Sequence, residues 1–205
     1  MKKLKKGILI VFEGIDGSGK TTQAQILLNK LNDRGIAAVY FREPSLGRWG
    51  REIKEKAAHA DSVTPQEELD LFQKDRRENV EENLLPSLDA KKAVILDRYY
   101  FSTIAYQGAK GIDPDLIRRM NEAFAAKPDL VFILDVIPER GLERIADRGT
   151  KDVLFEREDY LIQVRRLFRS MKGENIIHID ASQSREEIAE TIEKITLARL
   201  EPLLV

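Results

Sequence analysis

The sequence contains no cysteine, so it has neither a disulfide framework nor a thiolate that could act as a nucleophile or metal ligand. Its only two histidines, His59 and His178, do not have the spacing of metal ligands. The formal net charge is −1, so no overall field attracts the protein to nucleic acid or to a membrane surface. Any chemistry must therefore come from carboxylates, amines, guanidinium groups and hydroxyls, in a chain that suits a reducing cytoplasm.

Long hydrophobic runs are also missing. Lysines crowd residues 1–6, but the apolar run that follows at residues 8–12 is too short for a signal-peptide core or a membrane helix. We interpret the lysines as a solvated leader before the first strand. Hydrophobic residues make up 42% and charged residues 34% of the 205 residues, which is typical of one globular domain. The sequence therefore predicts a single domain over residues 1–205, without a membrane partner.

Short apolar runs alternate with helical patterns along the chain. Strands are predicted at residues 7–12, 37–41, 93–96, 130–136 and 175–179. Helices are predicted at residues 21–31, 48–60, 65–88, 113–125, 138–146, 158–171 and 185–199. This alternation predicts an α/β fold with a five-stranded parallel sheet and helices on both faces. Ligands bind such sheets beyond the carboxyl ends of the strands, where Asp97, Asp135 and Asp180 fall.

The segment G-I-D-G-S-G-K-T at residues 14–21 matches the phosphate-loop pattern G-x-x-x-x-G-K-[ST], and it joins a predicted strand to a predicted helix. Glycines let the backbone point its N–H groups at phosphate oxygens, and the start of the helix adds its positive dipole end. Lys20 is predicted to reach the β- and γ-phosphates of ATP, and the Thr21 hydroxyl to ligate Mg²⁺. The candidate nucleotide-binding residues here are Gly14, Gly17, Ser18, Gly19, Lys20, Thr21 and Thr22. The alternative is a plain glycine turn with a solvated lysine.

Further motifs extend the pattern over most of the chain. They are F-E-G-I-D-G-S-G-K-T-T at 12–22, R-E-P at 42–44, L-F at 71–72 with Arg76 beyond it, D-R-Y at 97–99, S-T-I-A-Y-Q-G at 102–108, P-D-L at 128–130, L-D at 134–135 and D-A-S at 180–182. In this order they resemble the thymidylate kinase family from about residue 8 to about residue 192. The resemblance implies a P-loop kinase that transfers the γ-phosphoryl group of ATP to dTMP, uses Mg²⁺ and forms a homodimer.

The resemblance also implies catalytic roles. Asp16 would face the acceptor sugar and position it, although an aspartate is also common in a tight turn. Asp97 would support Mg²⁺ or the acceptor phosphate. Arg98 would clamp the transferring phosphoryl group, whose charge spreads over its oxygens in the transition state. A salt bridge at the strand end is the alternative for these two residues.

On the acceptor side, the resemblance makes Phe72 the stacking platform for thymine and Arg76 a donor to a base carbonyl or phosphate. A core position and a solvated helix face are the alternatives. Tyr106 and Gln107 would line the thymine pocket, unless they belong to a surface loop. The pair of Arg42 and Glu43 would contact the acceptor phosphate and magnesium-bound water, unless they only form a polar loop.

A mobile lid is expected at residues 144–157. Family members without an arginine inside the phosphate loop supply one from this lid, and position 17 here is glycine. Arg148 is the first candidate for this catalytic role and Arg144 the second, with charge at a solvated helix end as the alternative for both. Ala181 is expected to border adenine.

Three stretches depart from the family pattern. Ser45-Leu-Gly replaces the usual Gly-Gly-Thr, Leu154 stands where the lid usually has an arginine, and residues 73–75 are bulkier than usual. The first and third lie on the predicted acceptor side. The alternatives to a dTMP kinase are therefore a kinase of another deoxynucleoside monophosphate or deoxynucleoside, or a non-catalytic nucleotide-binding protein.

Overall fold

A computed structural model describes residues 2–57, 63–146 and 154–205. Its strands are β1 Ile8–Glu13, β2 Ala38–Arg42, β3 Ala93–Asp97, β4 Leu130–Asp135 and β5 Ile176–Asp180. They form a five-stranded sheet in the order β2-β3-β1-β4-β5, and every neighbouring pair is parallel. The predicted sheet is therefore confirmed, with strand ends displaced by one residue in places.

Helices surround this sheet. They are α1 Lys20–Asp33, α2 Arg48–Ala57, α3 Pro65–Asn79, α4 Leu85–Asp89, α5 Tyr100–Ala109, α6 Pro114–Glu122, α7 Pro138–Ala146, α8 Leu154–Ser170 and α9 Arg185–Leu200. Two of them, α3 and α9, begin with a capping box, formed by Thr64 with Glu67 and by Ser184 with Glu187. No helix of the described ranges has the length and apolar character to cross a membrane.

The central strands β1 and β3 are apolar up to their last residues, Glu13 and Asp97, because both of their faces are covered. Every residue of β1 and β3 is buried, and the ring centroids of Phe12 and Phe132 lie 5.5 Å apart between neighbouring strands. The register pairs Ile8 with Ala93 and Phe12 with Asp97. The turn after β1 and the polar end of β3 therefore meet at one edge of the sheet, which is the edge where a ligand site is expected.

The predicted helix at residues 65–88 is interrupted. A π-helical turn at Val80–Leu84 separates α3 from α4, and the Leu85 N–H bonds the carbonyl of Val80. Pro86 follows at once and has no N–H to complete an ordinary helical ladder. The predicted helix at 48–60 is described as far as Ala57.

Helix α5 was absent from the predicted helices. Its buried residues include Tyr100, Phe101, Ile104 and Ala105, so its apolar positions do not form a narrow stripe. It also has no capping side chain of its own at its first turn. The sequence pattern does not predict α5 because a helix packed in the core, rather than on a solvated face, shows neither a narrow apolar stripe nor a capping side chain of its own.

Candidate active site

The phosphate loop is a backbone cradle between β1 and α1. Gly14 has φ of 136°, and a Cβ there would lie 2.4 Å from the carbonyl oxygen of Leu134. Gly17 has φ of 77°, and a Cβ there would lie 2.1 Å from the carbonyl oxygen of Gly141. A side chain at either position would clash with backbone atoms, so glycine is required at both.

Lys20 is buried at the start of α1. Its Nζ donates to the carbonyl oxygen of Ile15 at 2.7 Å and to Ser18 Oγ at 3.4 Å. Burial lowers the pKa of Lys20 to about 7, and the nearby positive charge of Arg98 adds to this effect. A phosphate beside Nζ would stabilise the charged form of the amine and so raise its pKa.

The phosphate loop opens into a cavity of about 660 Å³. Its walls include most of the predicted catalytic and nucleotide-binding residues, namely Asp16, Gly17, Ser18, Gly19, Lys20, Thr21, Thr22, Asp97, Arg98 and Arg144. Arg42 also lines this cavity, and it does not line the second cavity described below. We call this space the donor cavity.

The end of β3 presents a carboxylate to this cavity. Asp97 Oδ2 accepts hydrogen bonds from Thr21 Oγ1 at 2.5 Å and from the Tyr40 hydroxyl at 3.1 Å. Among the described residues no group of three or more histidine, cysteine, aspartate or glutamate side chains could hold a metal. Mg²⁺ is usually held by one or two carboxylates together with substrate phosphates, so Asp97 and Thr21 fit such an ion.

A second cavity of about 390 Å³ lies beside the first, and we call it the acceptor cavity. Its walls come from five separated segments: Asp16 in the phosphate loop, Glu43 and Pro44 after β2, Glu68, Phe72 and Arg76 on α3, residues between Arg98 and Lys110 on α5 and at its two ends, and Tyr160 on α8. Phe72 is half-buried and faces this space, as the stacking prediction requires.

Arg76 and Glu43 form a buried ion pair in the wall of the acceptor cavity. Arg76 Nε lies 2.8 Å from Glu43 Oε2, and its other two nitrogens donate to Asn121 Oδ1 at 2.5 Å and Thr103 Oγ1 at 3.0 Å. Asn79 donates to the other Glu43 oxygen at 3.2 Å. The Glu43 carboxylate is thus directed to Arg76 and Asn79, rather than to the donor cavity where Mg²⁺ would sit.

Tyr106 and Gln107 lie on a helix, so the surface-loop alternative is wrong. The Tyr106 hydroxyl accepts the Asp16 N–H at 3.1 Å, and its ring centroid lies 5.3 Å from the guanidinium of Arg98. Gln107 is buried, and its amide nitrogen donates to Glu68 Oε2 at 2.9 Å. Its Oε1 has no partner within the described part of the chain.

Asp16 and Arg98 stand where the two cavities meet, since both residues line both spaces. Arg98 Nη2 lies 2.5 Å from Asp16 Oδ1. Arg98 has φ of 70°, an uncommon conformation for a residue with a Cβ, and strain of this kind is found at functional sites.

The remaining predicted residues are partly described. Arg144 on α7 donates to the carbonyl oxygens of Gly17 at 3.2 Å and Ala181 at 3.3 Å. Ala181 is buried and does not line the donor cavity, whereas Gln183, Arg185 and Ile188 nearby do. Arg148 lies outside the described residues.

The two departures on the acceptor side touch each other. Asp75 accepts a hydrogen bond from the Ser45 N–H at 2.9 Å and from Ser45 Oγ at 2.6 Å. Both residues are buried. The bond ties α3 to the turn after β2, directly beside Pro44 and Arg76.

Sequence reasoning missed several contributors to the site. They are Glu13 at the end of β1, Tyr40 on β2, Glu68 on α3, Ser102 on α5 and Tyr160 on α8. The Tyr160 hydroxyl donates to the carbonyl of Tyr106 at 2.8 Å. Only Glu13 and Ser102 lie inside the recognised motifs; the others come from segments with no local signal of proximity.

A phosphate loop at the carboxyl edge of a parallel sheet, with a second cavity joined to it through an aspartate and an arginine, defines a P-loop kinase. The family model described as thymidylate kinase matches residues 12–192. A probable thymidylate kinase of Archaeoglobus fulgidus is 46% identical over 188 residues, covering 92% of this chain and 94% of the relative. The thymidylate kinase of Akkermansia muciniphila is 45% identical over 190 residues, covering 93% and 91%.

The thymidylate kinase of Brachyspira hyodysenteriae is 43% identical over 188 residues, covering 91% of this chain and 92% of that protein. The residues that line both cavities fall within the range that the family model matches. The chain belongs to the thymidylate kinase family. The resemblance expected from the motifs is therefore confirmed.

Proposed function

We propose that this protein transfers the γ-phosphoryl group of ATP to dTMP, giving dTDP and ADP. Members of the thymidylate kinase family are ATP-dependent nucleoside monophosphate kinases. The observation that carries the proposal for this chain is the junction of the two cavities at Asp16 and Arg98. A nucleotide in each cavity would bring the donor phosphate and the acceptor phosphate together beside these two side chains.

In this proposal the protein acts by positioning and by charge neutralisation, without a covalent intermediate. Lys20 and the loop N–H groups hold the β- and γ-phosphates. Arg98 offers a planar set of donors to the phosphoryl oxygens as charge spreads over them. Asp16 accepts a hydrogen bond from the sugar hydroxyl of the acceptor and also orients Arg98, with which it pairs at 2.5 Å.

The proposal includes Mg²⁺. Thr21 and Asp97 would hold it, since the hydroxyl and carboxylate already lie 2.5 Å apart at the end of β3. When bound, the ion would neutralise phosphate charge. Tyr40 donates to the same carboxylate and keeps it oriented.

The acceptor base is proposed to stack on Phe72, with Tyr106, Gln107 and Arg76 forming the rest of its pocket. The shape is set by the Arg76–Glu43 ion pair, because neither side chain can turn away without leaving a buried charge unpaired. Arg42, on the ATP side, is proposed to contact phosphate rather than base.

A cation from residues 144–157 is proposed to complete the site, with Arg148 as the first candidate and Arg144 as the second. Arg148→Ala should lower kcat more than KM, because an arginine that acts mainly in the transition state contributes little to ground-state binding. Steady-state kinetics with varied ATP and dTMP would measure both parameters. An unchanged kcat would move the role to Arg144 or Lys151.

Assembly as a homodimer in the cytoplasm completes the proposal. Half-buried Trp49 lies between the cations of Arg48 and Lys74, at 4.6 and 4.8 Å from its ring, and neighbouring Leu46 is 73% exposed. Tryptophan and arginine are enriched at protein interfaces, so we propose that two copies meet at this surface. Light scattering after gel filtration would give the mass in solution, and a monomer would contradict this part.

The deciding test is ADP release with ATP–Mg²⁺ and, in separate assays, dTMP, dUMP, dCMP, dGMP or thymidine. A clear preference in kcat/KM for dTMP is the expected result. Activity on another acceptor would keep the phosphoryl chemistry but assign specificity to the Ser45–Asp75 contact and its neighbours. ATP binding without acceptor-dependent ADP release would favour a non-catalytic protein.

A further inference from the structure

Glu13 is a fully buried carboxylate at the last position of β1, and it lines neither cavity. Its Oε1 accepts the N–H groups of Tyr99 at 2.7 Å and Ser102 at 3.1 Å. Its Oε2 lies 2.5 Å from Ser102 Oγ. The carboxylate therefore takes the place of the capping side chain that α5 lacks, because it accepts backbone N–H groups at the start of that helix.

Arg98 lies directly before the N-cap residue of this helix, Tyr99. The Arg98 N–H bonds the carbonyl oxygen of Phe12, and its Nη1 donates to Ser102 Oγ at 3.0 Å. Ser102 Oγ thus contacts the Glu13 carboxylate on one side and the Arg98 guanidinium on the other. Since Arg98 has φ of 70°, its backbone needs support from its surroundings to stay in place.

A buried carboxylate is a costly way to cap a helix, because a serine or asparagine would do so without charge. Burial raises the pKa of Glu13 to about 7, while the Ser102 hydrogen bond, the charge of Arg98 and the two N–H groups all act in the opposite direction. A neutral capping side chain would not attract the positively charged guanidinium of Arg98, whereas the Glu13 carboxylate does.

We propose that Glu13, acting through Ser102, is a positioning residue that holds the Arg98 guanidinium at the junction of the two cavities. The inference rests on the proposed kinase function. Glu13 touches no substrate in this scheme. Its hydrogen bonds lead through Ser102 to Arg98, while its charge also acts on Lys20, so a cycle with Arg98 is needed to isolate the positioning role.

Glu13→Gln tests this directly, because the amide oxygen can keep the two backbone N–H hydrogen bonds and the amide nitrogen can donate to Ser102 Oγ, while the charge disappears. We expect kcat to fall about tenfold, with KM for ATP and for dTMP changed less than about threefold, since couplings between contacting groups are typically of this size. Asp129→Asn is the matched control. Asp129 accepts the Leu9 N–H at 3.0 Å at the opposite end of the sheet, so its substitution should leave both parameters unchanged.

A double-mutant cycle gives the decisive measurement. In an Arg98→Lys background, Glu13→Gln should lower kcat by less than about twofold, because the guanidinium that it positions is already gone. An equal loss in both backgrounds, or an unchanged kcat in the wild-type background, would overturn the proposal. Thermal unfolding of each variant separates misplacement of Arg98 from general loss of stability.

If Glu13→Gln does not fold, Ser102→Ala provides the same cycle with a residue that is only half-buried. It removes the hydroxyl that joins the carboxylate to Arg98, so it should lower kcat in the wild-type background and little in Arg98→Lys. Additive losses would again contradict the proposal. Failure of the kinase function itself is distinguishable, since the unmodified protein would then show no dTMP-dependent ADP release.

Discussion

The donor and acceptor cavities are built in opposite ways. In the donor cavity one continuous segment, residues 16–23, supplies a whole wall, and residues from other elements complete the lining around it. The acceptor cavity is assembled from five segments that meet only after folding, and a buried ion pair braces it. In the proposed function, phosphate is bound by a local backbone shape, whereas the acceptor base is bound by side chains that distant elements bring together.

This contrast predicts that substitutions in the donor cavity have their largest effect on kcat. Lys20→Met removes the charge of the buried amine and should lower kcat about 100- to 1,000-fold, the loss typical of a group that stabilises transition-state charge. Stability should change little or improve. ADP-release kinetics and thermal unfolding give the two readouts.

Lys30→Met is the matched control, since Lys30 lies on the same helix but pairs with Glu193 at 2.5 Å away from the site. It should retain normal kcat. A near-normal kcat of Lys20→Met would contradict the interpretation of residues 14–21 as a phosphate loop.

Substitutions in the wall of the acceptor cavity should instead have their largest effect on the free energy of unfolding. Arg76→Met leaves the Glu43 carboxylate buried without its cation, which costs about 3–5 kcal/mol in the free energy of unfolding. Urea titration measures this loss. The double variant Arg76→Met with Glu43→Gln should recover part of it, because no charge is then left unpaired.

Arg77→Met supplies the comparison at the next position. Arg77 is exposed and lies 4.1 Å from the ring centroid of Phe124, so its loss should cost no more than about 1 kcal/mol. Equal costs at positions 76 and 77 would contradict the bracing role of the ion pair.

The buried amine also predicts a pH dependence of stability without nucleotide. Burial lowers the pKa of Lys20 to about 7, so between pH 7 and about 10 the folded protein binds fewer protons at this group than the unfolded chain. Its contribution to stability therefore grows as the pH rises from 7 to 10 and is lost as the pH falls through 7.

Lys20→Met should lack this contribution. Urea unfolding of both proteins at pH 7, 8, 9 and 10 should give stability differences that change by on the order of a few kcal/mol across this range. Parallel curves would mean that the amine is solvated in the free protein.

The prediction with the smallest expected effect tests whether Phe72 stacks on the base of dTMP or only packs in the core. Phe72→Ala should raise KM for dTMP by about 5- to 150-fold, which corresponds to the 1–3 kcal/mol of base stacking, while KM for ATP stays constant. Dissociation constants for dTMP by calorimetry would check that KM reports binding. A large loss of stability with no selective effect on dTMP would instead make Phe72 a core residue.

The sequence by itself determined the sheet, the phosphate loop and the family, because strand periodicity and glycine spacing are local properties that the chain carries in consecutive residues. It also placed Asp16, Asp97 and Arg98 at the carboxyl edge, since that position follows from parallel topology alone. It did not reveal that Arg76 pairs with Glu43, that Ser45 bonds Asp75 or that Tyr160 closes the acceptor cavity.

Only the tertiary structure decided these contacts. Each joins residues far apart in the chain, and a buried polar side chain takes the partner that packing brings within hydrogen-bond distance. The same reason explains Glu13 and helix α5. The helix has no cap of its own, so its start depends on a carboxylate from β1, 86 residues before Tyr99, that only the folded sheet brings near.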